Sequence, residues 1–391
     1  MSALTPTERL LLAVVAVLAA LAGVADYGAW PAVPRFLLAT VALAGLAWVV
    51  SFATEQLGER FGPGVTGMMQ STLGNLPELF VVIFALQKGE LVVAQTAIVG
   101  SVLANALLVL GLVIVVGARR SPDGMMRFSP RLPRDTATLL QVTVFIIVLL
   151  GLSFAAHDPA SHHVKTISIV GAVCLLVVYL TWAVPYLRAD RAPGDARPGA
   201  ADEPSSAARE PSSAAPEPSL AARGPSSPAV AEAGSKRGPR LSLPLTLALL
   251  FVAGAGSAFV SDWFINGLRP AIDQLHISAA FAGLVIVAIA GNAVENTAGL
   301  VLAWKGRSDL AISVVKNSVA QIAAFLFPAL VLISFALTTT LTFSLAPVYI
   351  GALALTSLVL WQVTGDGEAA EFEGWALVAA YVILGTLTLY E

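Results

Sequence analysis

The stretch Gly74-Asn75-Leu76-Pro77-Glu78 decides the fold, because it recurs 217 positions later as Gly291-Asn292-Ala293-Val294-Glu295. The same offset lays Lys88-Gly89 on Lys305-Gly306 and Ser101-Val102 on Ser318-Val319, and nine of the 38 positions from 74 to 111 are identical without a gap. Apolar helices match by chance at several positions, but seldom at Gly, Asn and Glu in one cluster. The copies are an internal repeat, and the number of membrane crossings between them sets whether they run with or against each other.

Those crossings can be counted. Of 391 residues, 57% are hydrophobic and 12% charged, about half the charged share of a soluble domain. Runs of about 20 apolar residues, long enough for a helix to cross the hydrocarbon core, recur at 9–30, 34–55, 64–87, 91–117, 135–155, 164–187, 241–265, 278–304, 309–336, 344–363 and 372–390. The first resembles a secretory signal, but the many spans behind it favour a retained helix. The expected fold is all-α and polytopic, with about eleven transmembrane helices.

Residues 188–240 interrupt the pattern with Ala, Pro and Ser, and Glu-Pro-Ser-Ser-Ala-Ala occurs there twice. Such a segment cannot bury apolar surface, so a disordered linker is expected between a first membrane half at 1–187 and a second at 241–391. With the N-terminus inside, 17 Lys and Arg fall on the cytoplasmic side and four on the outer side. The positive-inside rule then makes the linker cytoplasmic and the C-terminus external. The copies occupy the third and eighth spans, five crossings apart, and so run in opposite directions. The architecture is one helix plus two inverted five-helix repeats, with α-repeats at about 64–117 and 278–336.

Glu78 and Glu295 lie mid-span, where a carboxylate costs at least about 2.5 kcal/mol. Each follows Gly and Asn, and Pro77 precedes the first, so backbone carbonyls come free beside the acid. Broken helices are tolerated at this depth where they line a cavity or an ion. Two carboxylates, the amide oxygens of Asn75 and Asn292 and freed carbonyls form an all-oxygen set for a hard cation such as calcium. Without the ion, two facing buried glutamates would hold protons, because desolvation and like charge disfavour the ionised pair. Metal and protons would then displace each other.

Ser101 and Asn105 in the fourth span, with Ser318 and Gln321 in the ninth, add oxygens at helical spacing and serve as ion contacts or interhelical hydrogen-bond partners. Glu55 and Glu59 end the second span, as a solvated helix end or a cation funnel. Asp26 and Asp262 fall near the outer interface, and no role is assigned to them. Asp366, Glu368, Glu371 and Glu373 are expected on a solvated cytoplasmic loop, and His157, His162 and His163 on an outer one. Cys174 is expected as a small core hydrophobe, with no disulfide. No basic domain suggests nucleic acid, no motif requires a cofactor, and the reading is of a transporter rather than an enzyme. The oligomeric state, a homo-oligomer included, stays open.

The segments SFATEQLGERFGPGVTGMMQSTLGNLPELFVVIFALQKGE, IVGSVLANALLVLG and AGNAVENTAGLVLAWKGRSDLAISVVKNSVAQIAAFLFPALVL resemble the α-repeats of the calcium/proton antiporter family, within the calcium/cation antiporter superfamily. The resemblance implies a multi-pass exchanger of Ca2+ and H+ working by alternating access, and the cell membrane is its expected place because no organelle-targeting segment is evident. Glu78 and Glu295 would carry the ions, with Asn75, Asn292, Ser101, Asn105, Ser318 and Gln321 in the surrounding motifs. Three departures stand out. Asn296 replaces the family's His; Asn317 replaces Gly, with Lys316 before it in the ninth span; and Pro77 is more typical of sodium/calcium exchangers, whose sodium-binding hydroxyls are missing here. A buried Lys316 must face away from the ion, be neutral, or mark altered selectivity. The alternatives are exchange of Mn2+, Mg2+, Na+ or K+ on the same fold, sodium/calcium exchange, and a channel.

Overall fold

The computed structural model describes residues 4–58, 60, 73–129, 131–189 and 240–391, and side chains at all of these except 58, 131–133, 185–189, 294 and 295. The expected linker, apart from its ends, lies outside these residues, as do Glu59 and the first part of the third span.

The helices are α1 Pro6–Tyr27, α2 Ala32–Gly58, α3 Leu76–Gln87, α4 Leu91–Arg120, α5 Arg131–Ala155, α6 Val164–Ala189 and α7 Leu243–Leu275. They continue with α8 Ala279–Gly291, α9 Ala293–Trp304, α10 Ser308–Ser334, α11 Pro347–Thr364 and α12 Glu371–Leu389. Among the described residues nine helices are long and apolar enough to cross a membrane, and the bent pair α8–α9, at 56°, makes a tenth if it is one span. The described part of the third span, α3, has 12 residues.

Large apolar side chains point outward all round, such as Phe145 at 63%, Phe251 at 77% and Leu355 at 65% exposure. A surface that apolar suits lipid, where each backbone group must bond within its own helix. Cys174 also lies exposed, on the outer face of α6, rather than in the core as expected: its helix turns that side to lipid, where a thiol is as acceptable as inside.

The repeat is visible in backbone detail. Adding 217 carries α3 onto α9 residue for residue. Asn75 at φ −84°, ψ 6° answers to Asn292 at −100°, 13°. Gly89 and Gly306 both hold left-handed φ, 82° and 71°. Each motif helix thus ends in a turn that only glycine enters freely. The fourth and ninth spans each widen into a π-helical turn, Ala104–Val109 and Ile322–Leu326, a distortion that tends to mark functional sites.

Packing brings the halves together. The most extensive interface joins α2 to α7, which are repeat mates, and α1 lies against both. α4 crosses the start of α8 at glycine: a Cβ on Gly100 would stand 2.5 Å from the Leu284 backbone, and one on Gly283 2.0 Å from Thr96 Oγ1. Two three-residue strands, β1 Met125–Arg127 and β2 Glu368–Ala370, pair antiparallel and were not anticipated. They change the acidic loop's expected plain solvation. Glu368 meets Arg127 at 3.5 Å and Glu371 meets Arg119 at 2.8 Å, while Glu373 accepts the Ala370 amide at 2.7 Å.

Candidate functional site

Both Gly-Asn motifs fall where a helix breaks. The Asn75 and Asn292 carbonyls accept from Leu79 and Asn296 at 2.9 and 3.0 Å, opening α3 and α9. Pro77 is tolerated because the first turn of a helix has no partner for its missing amide proton. Glu78 then occupies the third position of α3 and is 2% exposed. The positive end of the helix dipole favours a carboxylate there. A methyl added to Gly291 would lie 3.9 Å from Glu78 Cβ, so the acid of one repeat sits against the motif glycine of the other. Glu295 holds the same third position in α9, and its side chain lies outside the described residues.

Next to this contact, four predicted side chains join in a buried knot. Asn105 Nδ2 donates to Asn292 Oδ1 at 3.0 Å, to Ser318 Oγ at 3.2 Å and to the Ser101 carbonyl at 3.1 Å. Asn292 Nδ2 donates to Ser101 Oγ at 2.9 Å and to the Ala288 carbonyl at 2.9 Å. All four residues are 1% exposed or less. Asn105 Oδ1 is buried with no hydrogen-bond partner among the described residues. An orphaned buried carbonyl oxygen is costly in a protein interior and is the kind of donor a hard cation takes. Asn75 is buried at its break. Gln321 is buried one turn beyond Ser318, outside the knot, and its Oε1 likewise has no hydrogen-bond partner among the described residues.

Lys316 faces elsewhere. Its Nζ donates to Thr364 Oγ1 at 2.7 Å, at the end of α11, and Thr364 in turn donates to the Leu360 carbonyl at 2.6 Å. The Lys316–Thr364 bond ties the side chain to α11. Asp26 and Asp262, given no role by the sequence, take part in ion pairs with Arg35 and Lys88. Lys88 comes from a distant part of the chain and no local signal reveals it, whereas Arg35 follows Asp26 just beyond the α1–α2 turn.

A polytopic helical protein whose inverted halves meet at two broken helices, with the buried Glu78 and buried amides at the crossing, is a secondary transporter in its architecture. The sequence matches the sodium/calcium exchanger protein family over residues 32–185 and 245–390, and the chain belongs to that family. It is 27% identical over 361 residues to a Ca(2+)/H(+) antiporter of Aphanothece halophytica, covering 91% of this chain and 90% of that protein. It is 26% identical over 355 residues to the Ca(2+)/H(+) antiporter ChaA of Bacillus subtilis, covering 91% and 92%. The fold is similar to that of native YfkE, with a TM-score of 0.74 at 24% identity over 97% of this chain and 100% of that one.

Proposed function

We propose that this chain exchanges Ca2+ for H+ across a cell membrane, with Glu78 and Glu295 binding the metal ion or protons in turn. The observation that carries the reading is Glu78, buried against Gly291 of the opposite motif and beside a knot in which Asn105 Oδ1 has no hydrogen-bond partner among the described residues. Asn75, Asn292, Ser101, Asn105, Ser318 and Gln321 complete the oxygen set. Relatives of similar length that are named for this exchange support it.

The chemistry follows from burial. Two carboxylates in a low-dielectric site cannot both stay charged without a counter-ion. Calcium neutralises the pair and leaves no room for protons; protons neutralise it and remove the charge that held calcium. Either loaded form can pass between the two facings of the inverted repeat, while the empty charged pair is held back by its desolvation cost. The excess of Lys and Arg near the linker supports a cytoplasmic N-terminus and linker and an external C-terminus.

Flux in inverted vesicles tests the reading. An imposed proton gradient should drive calcium uptake, and dissipating the gradient should stop it. A gradient that moves manganese, magnesium, sodium or potassium but never calcium would reassign the substrate, and cation movement indifferent to any counter-gradient would make the chain a channel.

A further inference from the structure

At the end of the molecule opposite Arg240, the turn after α3 is clasped to α7. The Lys88 ammonium donates to the Asp262 carboxylate, to the Asp262 carbonyl at 3.2 Å and to Asn266 Oδ1 at 2.6 Å, so its three bonds all end on α7. Two residues on, Glu90 Oε1 accepts from Arg269 Nη1 of α7 at 2.9 Å. Behind the clasp, Asn266 Nδ2 reaches Asp26 Oδ2 at the end of α1 at 3.3 Å. Arg35 of α2 meets Asp26 Oδ1 at 3.6 Å and the Asn266 carbonyl at 3.3 Å. Helices α1, α2 and α7 are joined to one another here, and the motif turn is joined to them.

The inverted repeat supplies an internal control. Lys88-Gly89 recurs as Lys305-Gly306, but Asp262, Asn266 and Arg269 fall on Gly45, Val49 and Phe52 of α2. The lysine belongs to both halves, whereas these partners belong to one. A lysine present only to finish a helix would need no acceptors; here two stand at i, i+4 on a single helix face, level with the ammonium.

The position of α7 indicates what the clasp controls. α7 packs along α3, and a Cβ on Gly254 would lie 3.8 Å from Leu76 Cδ1, beside the motif break. Ser261, seven residues further along α7, returns to the same face, and its Oγ is buried with no hydrogen-bond partner among the described residues. The α3–α7 seam thus runs from the site, past Ser261, to Lys88. We infer that Lys88, Asp262 and Asn266 form an outer latch, which holds α7 against the α3 turn while the seam is shut and releases when the site opens to that side. The latch rests on the exchange reading, since a transporter that alternates must open this end in each cycle.

Thiol accessibility tests it without measuring transport. In a Cys174→Ser background, Ser261→Cys reports opening of the seam to a membrane-impermeant maleimide applied from the outer face of cells. Lys88→Met and, separately, Asn266→Ala should raise the labelling rate roughly three- to tenfold, the range expected on losing a partly exposed charged clasp. The exchanged pair Lys88→Asp with Asp262→Lys should return it towards the parent value. A labelling rate unchanged in Lys88→Met would overturn the latch, and so would an increase that the exchanged pair fails to reverse. Because no flux is read, a chain that proved to carry another cation would still answer the question, and failure of calcium exchange alone would count against the proposed function instead.

Discussion

Asn105 and Asn292 share a hydrogen bond of 3.0 Å although 187 residues separate them, and each comes from a different half of the inverted repeat. This bond is the centre of the knot through which α4, α8 and α10 meet. Asn292→Ala removes both the acceptor for Asn105 and the donor to Ser101, leaving buried polar groups that cost about 1–3 kcal/mol. The variant should lose that much stability in detergent and exchange at least tenfold more slowly. Ser101→Ala combined with Asn292→Ala should be non-additive by roughly 0.5–3 kcal/mol, since the two residues share a bond. Strict additivity in thermal unfolding would show that they do not act together.

Glycines at the crossings make opposite predictions from similar chemistry. A Cβ on Gly100 would stand 2.5 Å from the Leu284 Cα and carbonyl oxygen, both backbone atoms that cannot step aside. Gly100→Ala should therefore part the helices and sharply reduce the yield of folded protein. On Gly291 the added methyl would meet Glu78 Cβ at 3.9 Å, an ordinary contact. Gly291→Ala should fold normally, while Gly291→Leu should displace Glu78 and suppress exchange at a cost of about 1–3 kcal/mol of overpacking. Size-exclusion profiles and vesicle flux on the three variants distinguish the cases.

Glu78→Gln keeps the shape of a side chain that is 2% exposed and deletes its charge. A neutral amide can neither release a proton to an arriving cation nor balance its charge, so exchange should vanish while expression and melting temperature stay near the parent. Glu295→Gln should behave in the same way. Normal transport by either variant would remove that residue from the cycle.

How much of this was legible in the sequence depends on the range of the interaction. Helix-length apolar runs and the offset of 217 are local or periodic signals, and they anticipated the helical fold and four members of the knot, Ser101, Asn105, Asn292 and Ser318. The π-helical turns have no composition of their own. The pairing of Met125–Arg127 with Glu368–Ala370 joins a three-residue strand of the first half to one of the second, each too short for any alternation to register. Asp262 looked like an interface acid because its partner, Lys88, becomes a neighbour only after α3 and α7 have packed, whereas Arg35 lies within reach of Asp26 across the α1–α2 turn.

Lys316 gives the sharpest separation between stability and transport. It stands two residues before Ser318, about 200° away round the helix, and its ammonium bonds to Thr364 at the end of α11. A group on the far side of α10 should secure α11 without touching the ion. Lys316→Ala empties a fully buried volume and should lower stability by about 2–4 kcal/mol, and Thr364→Val by about 1–3 kcal/mol through the lost acceptor. Lys316→Met refills the space with an apolar chain, a kind of replacement that is often neutral, and should recover most of the loss. In all three the calcium concentration giving half-maximal exchange should stay within about twofold of the parent, because removing a charge that acted on the ion would shift it about tenfold for each 1.4 kcal/mol. A tenfold gain in apparent affinity in Lys316→Met, with stability unchanged, would instead make this lysine an electrostatic brake on cation binding.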